Sequence, residues 1–64
     1  MKALDFYRHL KDNNCVLLRH GSKHDIWMNR SNNSETTVPR HKEIGNIICK
    51  TICKQLDIPV PTKF

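Results

Sequence analysis

A chain of 64 residues has room for one domain, near the size at which a single apolar core barely offsets the entropy of ordering the chain. Its 38% apolar and 27% charged residues fit a small soluble globule better than a disordered segment. Lys and Arg number 11 against 6 acids, a formal charge of +5, which favours a polyanionic partner, with a charge kept for solubility alone as the alternative.

The opening MKALDFYRHL holds no signal-peptide run, and no segment approaches the roughly 20 apolar residues of a membrane span, so the expected location is the cytosol, away from membranes. In that first stretch Ala3, Leu4, Phe6, Tyr7 and Leu10 fall on one side of a helical wheel. Asp5, Arg8, His9 and Asp12 fall on the other, which predicts an amphipathic helix from Ala3 to Leu10 with His9 solvated. The run DNN at 12–14 tolerates left-handed and turn backbone and should stop it.

CVLLR at 15–19 reads as a strand, and HDIWMN at 24–29 as a second strand across a Gly21-Ser22 turn. TTV at 36–38 follows the turn-forming RSNNSE as a third strand. Pro39, which lacks an N–H, marks its exit in VPRH. A second helix should begin at about Glu43, with Ile44, Ile48, Ile52 and Leu56 as its apolar stripe and Glu43, Asn46, Lys50 and Lys54 opposite. Gly45 would lie early in that helix, at a cost of up to about 1 kcal/mol relative to alanine. DIPVPTKF ends it, and the last residues are expected to fray.

The order helix, three strands, helix, with no repeat or low-complexity tract, predicts a single α+β domain over 1–64. It is a two-layer α-β-β-β-α sandwich whose helices cover one face of a three-stranded antiparallel sheet, leaving the other face open to solvent or a ligand. Three cysteines do not form a secreted disulfide framework. Cys49 and Cys53, one helical turn apart, would need Cys15 and a histidine to make a zinc site, and their spacing is not that of a CxxC pair. They read instead as small buried apolar residues.

The nine residues RHGSKHDIW, Arg19 to Trp27, gather two histidines, two cations and a carboxylate beside the only tryptophan. Strand side chains alternate, so His24 and Trp27, three apart, point to opposite faces. A chain this short needs its largest apolar side chain in the core, which puts Trp27 under the helices and His24 on the open face. If Ile26 and Met28 were the buried pair instead, His24 would point inward. An exposed imidazole among Arg19, Lys23 and His20 suits phosphodiester chemistry: it exchanges a proton near neutral pH while cations offset the charge developing on phosphorus. RNA brings its own nucleophile in the 2′-hydroxyl, so no metal or cofactor is called for.

Arg19, His24 five residues on, an aromatic three residues later, VPRH at 38–41 and a closing helix containing ICKQLDI together resemble the HicA toxins, from about Phe6 to Ile58. That family comprises small mRNA interferases of bacterial type II toxin–antitoxin systems. The resemblance implies a fold like the double-stranded-RNA-binding domain, mRNA as substrate, and a HicB-type antitoxin as partner. It also implies a catalytic histidine directly after a glycine-serine pair. Here Lys23 intervenes between Ser22 and the histidine, while the distances from Arg19 and to the aromatic hold, so the catalytic position falls on His24. A second departure is Ile47-Ile48, where many members carry a Gly-Thr pair.

The expected assignment is therefore a metal-independent endoribonuclease with His24 as general acid or base. Arg19, Lys23, Arg40, His41 and Lys42 would contact RNA, the last three just before the second helix. His41 also has the chemistry to shuttle a proton, or serves as a loop or capping residue. The rivals are a non-catalytic RNA-binding module, which has no use for a particular imidazole, and an interaction protein whose open face receives a protein partner.

Overall fold

The protein is described by a computed structural model over residues 1–62, in the order α1 (Ala3–Asp12), β1 (Cys15–His20), β2 (His24–Asn29), β3 (Glu35–Pro39) and α2 (Asn46–Leu56). The strands form an antiparallel meander in the order β1-β2-β3, and both helices contribute to one core on a single face of it. The α+β architecture read from the sequence is the one observed.

In α1, Ala3, Phe6 and Leu10 are buried and Tyr7 is partly so, whereas Leu4, expected on the same side, is 75% exposed. With successive residues about 100° apart, the first four lie within an arc of about 100°, and Leu4 falls about 60° beyond it. The helix stops at the expected place: the Asn13 N–H reaches back to the His9 and Leu10 carbonyls, and Asn14 takes a left-handed backbone at φ 66°. His9 is not simply solvated, because its Nε2–H donates to the Pro59 carbonyl at 2.7 Å. That bond, with Ile58 packed on the core and Pro61 buried, ties down part of the tail expected to fray; Lys63 and Phe64 lie outside the described residues.

The second helix starts three residues later than its pattern suggested. Gly45 is its N-cap in extended backbone, so the helix-interior cost of glycine does not arise, and Ile44 is buried from the segment before it. The observed stripe is Cys49, Ile52, Cys53 and Leu56, while Ile48 is 43% exposed. A strict repeat of four drifts about 40° per step, so Ile44 to Leu56 cannot share one narrow face, whereas the i, i+3, i+4, i+7 set of the two thiols, Ile52 and Leu56 can.

The thiols are core residues, all three free and buried. Burial, together with the neighbouring Cys49 and Cys15 sulfurs, pushes the Cys53 thiol up from 9.0 to about 11, and burial raises Cys15 and Cys49 as well. Between those two values the unfolded chain releases the Cys53 proton and the folded chain keeps it. Urea midpoints are therefore expected to fall as pH rises from 9 toward about 11, with Cys53→Ala flattening part of the fall.

At the far end of the sheet Asn29 is buried under α2. Its amide donates to the Leu56 carbonyl at 2.8 Å, and its side-chain oxygen accepts the Ser31 N–H at 2.9 Å. One side chain thus satisfies the end of a helix and the start of the β2–β3 turn together.

Candidate functional site

Trp27 is buried, with Cys15, Asp25, Asn29 and Val38 on the same helix-covered face of the sheet. Its ring stacks on Tyr7 of α1 with centroids 5.6 Å apart. Alternation then sends His24, Ile26 and Met28 to the other face, where His24 is exposed and Ile26 and Met28 are partly so.

The register of β1 against β2 shifts between Leu17 and Arg19. Leu17 pairs with Trp27, Leu18 is extra, and Arg19 pairs with Ile26. A bulge of this kind re-aims the side chains beyond it. Without it Arg19 would share the face of Trp27; with it Arg19 joins His24 and Ile26 on the open face, and His20 is left opposite Asp25 on the helix side.

His24 stands at the head of β2, just after the Gly21-Ser22-Lys23 turn. The turn is closed by the Gly21 N–H donating to the His24 carbonyl at 2.8 Å. A Cβ on Gly21 would run into that same carbonyl oxygen, so glycine is required here for space rather than for φ. Gly21→Ala is expected to cost about 1–3 kcal/mol and to displace the His24 backbone, read as a lower melting temperature with amide shifts concentrated at residues 21–25.

Arg40 holds the turn from outside. Its Nη2 donates to the Gly21 carbonyl at 2.9 Å and to the Ser22 carbonyl at 2.6 Å, while its Nε lies 3.6 Å from Oδ1 of Asp25. The same Asp25 oxygen accepts a hydrogen bond from Nδ1 of His20 at 2.8 Å. Asp25 is 6% exposed, so its charge is met by a guanidinium and an imidazole rather than by bulk water. Beside this group the Tyr7 hydroxyl is pushed above its usual range, first by burial and then by the Asp25 carboxylate, with Arg40 opposing.

Two concavities meet at the exit of β3. A groove of about 380 Å³ runs from His24 past Thr37 and Pro39 to Ile47 and Ile48 at the start of α2. A larger cleft of about 750 Å³ lies on the helix side, between Lys2, Leu4 and Tyr7 and the segment 40–43, with Asp25 in its wall. His41 borders both.

A family model described as the HicA toxin of bacterial toxin–antitoxin systems matches residues 4–58. The chain belongs to the HicA toxin family. Comparison with curated proteins and with solved structures gave no match.

Of the residues singled out in this HicA chain, His24 and Arg19 share the open sheet face, and His24 and His41 share the groove. Lys23 is exposed in the turn. Arg40 and Lys42 instead border the helix-side cleft, so the basic residues do not form one patch around His24. Among the described residues no group of three His, Cys, Asp or Glu is placed to hold a metal ion, and no helix is long and apolar enough to cross a membrane.

Sequence reasoning left Asp25 without a role. The signal was present: if Trp27 points inward, so does Asp25 two residues earlier, and a buried carboxylate requires partners. Tyr7, Lys2 and Leu4 carried no such signal, since their place beside segment 40–43 depends on pairing of the chain start with the residues before α2. The Ala3 N–H donates to the Lys42 carbonyl at 2.9 Å, the Ile44 N–H donates to the Met1 carbonyl at 2.8 Å, and Lys2 bridges to Glu43.

Proposed function

We propose that this member of the HicA family is an mRNA endoribonuclease, in which His24 and His41 exchange protons with a phosphodiester lying in the groove between them. The observation that carries the reading is the pairing of an exposed strand histidine with a second imidazole in one groove, in a chain of this toxin family. In the step proposed, one neutral imidazole takes the proton of the ribose 2′-hydroxyl as that oxygen attacks the adjacent phosphorus. The bond from phosphorus to the 5′-oxygen of the next nucleotide breaks, and that oxygen receives a proton from the other, protonated imidazole. The products are a 2′,3′-cyclic phosphate and a free 5′-hydroxyl. Arg19, on the same open face as His24, and Lys23, next to it in the turn, would offset charge on the phosphorane.

Incubation of the purified protein with a single-stranded RNA, followed by analysis of the new ends, tests this. Cyclic phosphate ends support the enzyme. Binding without cleavage points to an RNA-binding module, and neither binding nor cleavage to an interaction protein. Affinity should fall with salt at a log–log slope of about −0.7 for each phosphate contact, so Arg19→Ala, Lys23→Ala and Lys42→Ala should each flatten it by about that amount. An unchanged slope in the triple variant would move the RNA to another surface.

The family assignment brings an antitoxin with it, and a HicB-type partner is proposed to cover the groove that holds His24. A basic surface steers an acidic partner, and direct cover stops substrate entry without any change of shape. In the complex, His24 should be protected from an imidazole-modifying reagent and RNA should stay intact. A complex that forms yet leaves His24 reactive and RNA cleaved would place the antitoxin elsewhere.

A further inference from the structure

We infer that the helix-side cleft is a nucleotide subsite that receives one unpaired base of the RNA strand, with Lys2 and Lys42 on its flanking phosphate. The inference rests on the reading of the neighbouring groove as the place of cleavage.

At about 750 Å³ the cleft is of ligand size, and its walls join apolar surface to charge in the way a nucleotide requires. Leu4 is 75% exposed on the wall, an apolar side chain that the core does not use. Tyr7 stands next to it, one ring face covered by the parallel Trp27 indole and the phenol otherwise bordering the cleft. An aromatic ring fixed from behind, with an aliphatic neighbour, is a surface on which a base of any sequence can stack.

Lys2, Arg40 and Lys42 bring three fixed cations to the rim against the two carboxylates of Asp25 and Glu43, and the Asp25 charge is already met by Arg40 at 3.6 Å. The balance is positive, as a phosphate needs. Glu43, its side chain 69% exposed and 3.5 Å from the Met1 α-ammonium, offers a base an acceptor only, which favours adenine, with two hydrogens to donate from its amino group, over uracil, with its single N3–H. Continuity supplies the rest of the argument. His41 borders both this cleft and the groove with His24, so a strand whose scissile phosphate lies in the groove passes over His41 and places its next nucleotide in the cleft. The subsite would then set a base preference one nucleotide from the cut.

The test uses the full chain carrying His24→Ala, titrated with adenosine 5′-monophosphate and separately with uridine 5′-monophosphate. It is followed by backbone amide shifts and by fluorescence of Trp27, whose ring stacks on Tyr7. Expected are saturable shifts centred on Leu4, Tyr7 and Lys42, with the uridine nucleotide at least threefold weaker. Leu4→Glu, and independently Lys2→Glu, should weaken the adenosine nucleotide at least tenfold with an unchanged melting temperature, since both side chains are exposed. In the His24 parent, Leu4→Glu should raise KM for RNA more than it lowers kcat.

Shifts mapping elsewhere, undiminished binding in both variants, or equal competition by an oligoglutamate peptide would overturn the subsite. If the parent cleaves RNA while the nucleotide leaves the cleft untouched, the subsite is wrong and the cleavage reading stands. If the nucleotide binds in the cleft and the parent cleaves nothing, the cleavage reading fails and the subsite stands by itself.

Discussion

His24→Ala is expected to lower the rate of RNA cleavage by about a hundred- to ten-thousandfold, the range over which a positioned acid or base contributes. Its thermal transition should stay within a few degrees of the parent, because an exposed strand side chain contributes no more than about 0.5 kcal/mol. The turn before it is held by the backbone carbonyl of His24 and by Arg40, neither of which the substitution removes. His20→Ala is the necessary control. That imidazole is oriented by Asp25 at 2.8 Å, an arrangement also suited to proton transfer, but it faces the helix side of the sheet. Cleavage lost in the His20 variant and kept in the His24 variant would reverse the assignment and move the chemistry across the sheet.

The comparison of these two histidines shows what a sequence of this kind makes legible. One fixed point, the burial of Trp27, is enough for strand alternation alone to put His24 on the open face. Alternation carried further along β1 would have put Arg19 on the wrong face, because the extra residue at Leu18 depends on cross-strand register that a single strand does not encode. The second helix failed for a similar reason. Four isoleucine and leucine positions at spacing four were more conspicuous than two cysteines, yet the cysteines complete the narrower arc that a straight helix presents to the sheet.

The cleft was illegible because its walls come from the start of the chain through Tyr7 of α1, from Asp25 of β2 and from the segment before α2, with the first and last joined by backbone pairing between residues about forty positions apart. Residues such as Lys2 and Leu4 look like ordinary helix-start residues until that pairing is formed. Asp25 lies between these cases. Its burial was implied by the same parity that placed Trp27, whereas the identity of its partners, His20 through the bulge and Arg40 across β3, required the folded sheet.

Trp27 is the residue on which both the core and the placement of His24 depend, and Trp27→Ala is expected to lower the melting temperature by more than about 10 °C. Removing a buried tryptophan side chain costs about 3–5 kcal/mol. A chain of this size holds about 3–10 kcal/mol in total. The loss would fall on the center of the core, where the indole is 3% exposed and stacked on Tyr7. Trp27→Phe should behave differently. The indole N–H is buried with no hydrogen-bond partner among the described residues, so the native side chain already carries a desolvation penalty of about 1–3 kcal/mol that phenylalanine would not. That gain offsets much of the lost ring volume, and the Phe variant is expected within about 1 kcal/mol of the parent by urea unfolding followed by circular dichroism. A melting curve for Trp27→Ala that matches the parent would mean that the tryptophan is not under the helices, and the outward placement of His24 would fall with it.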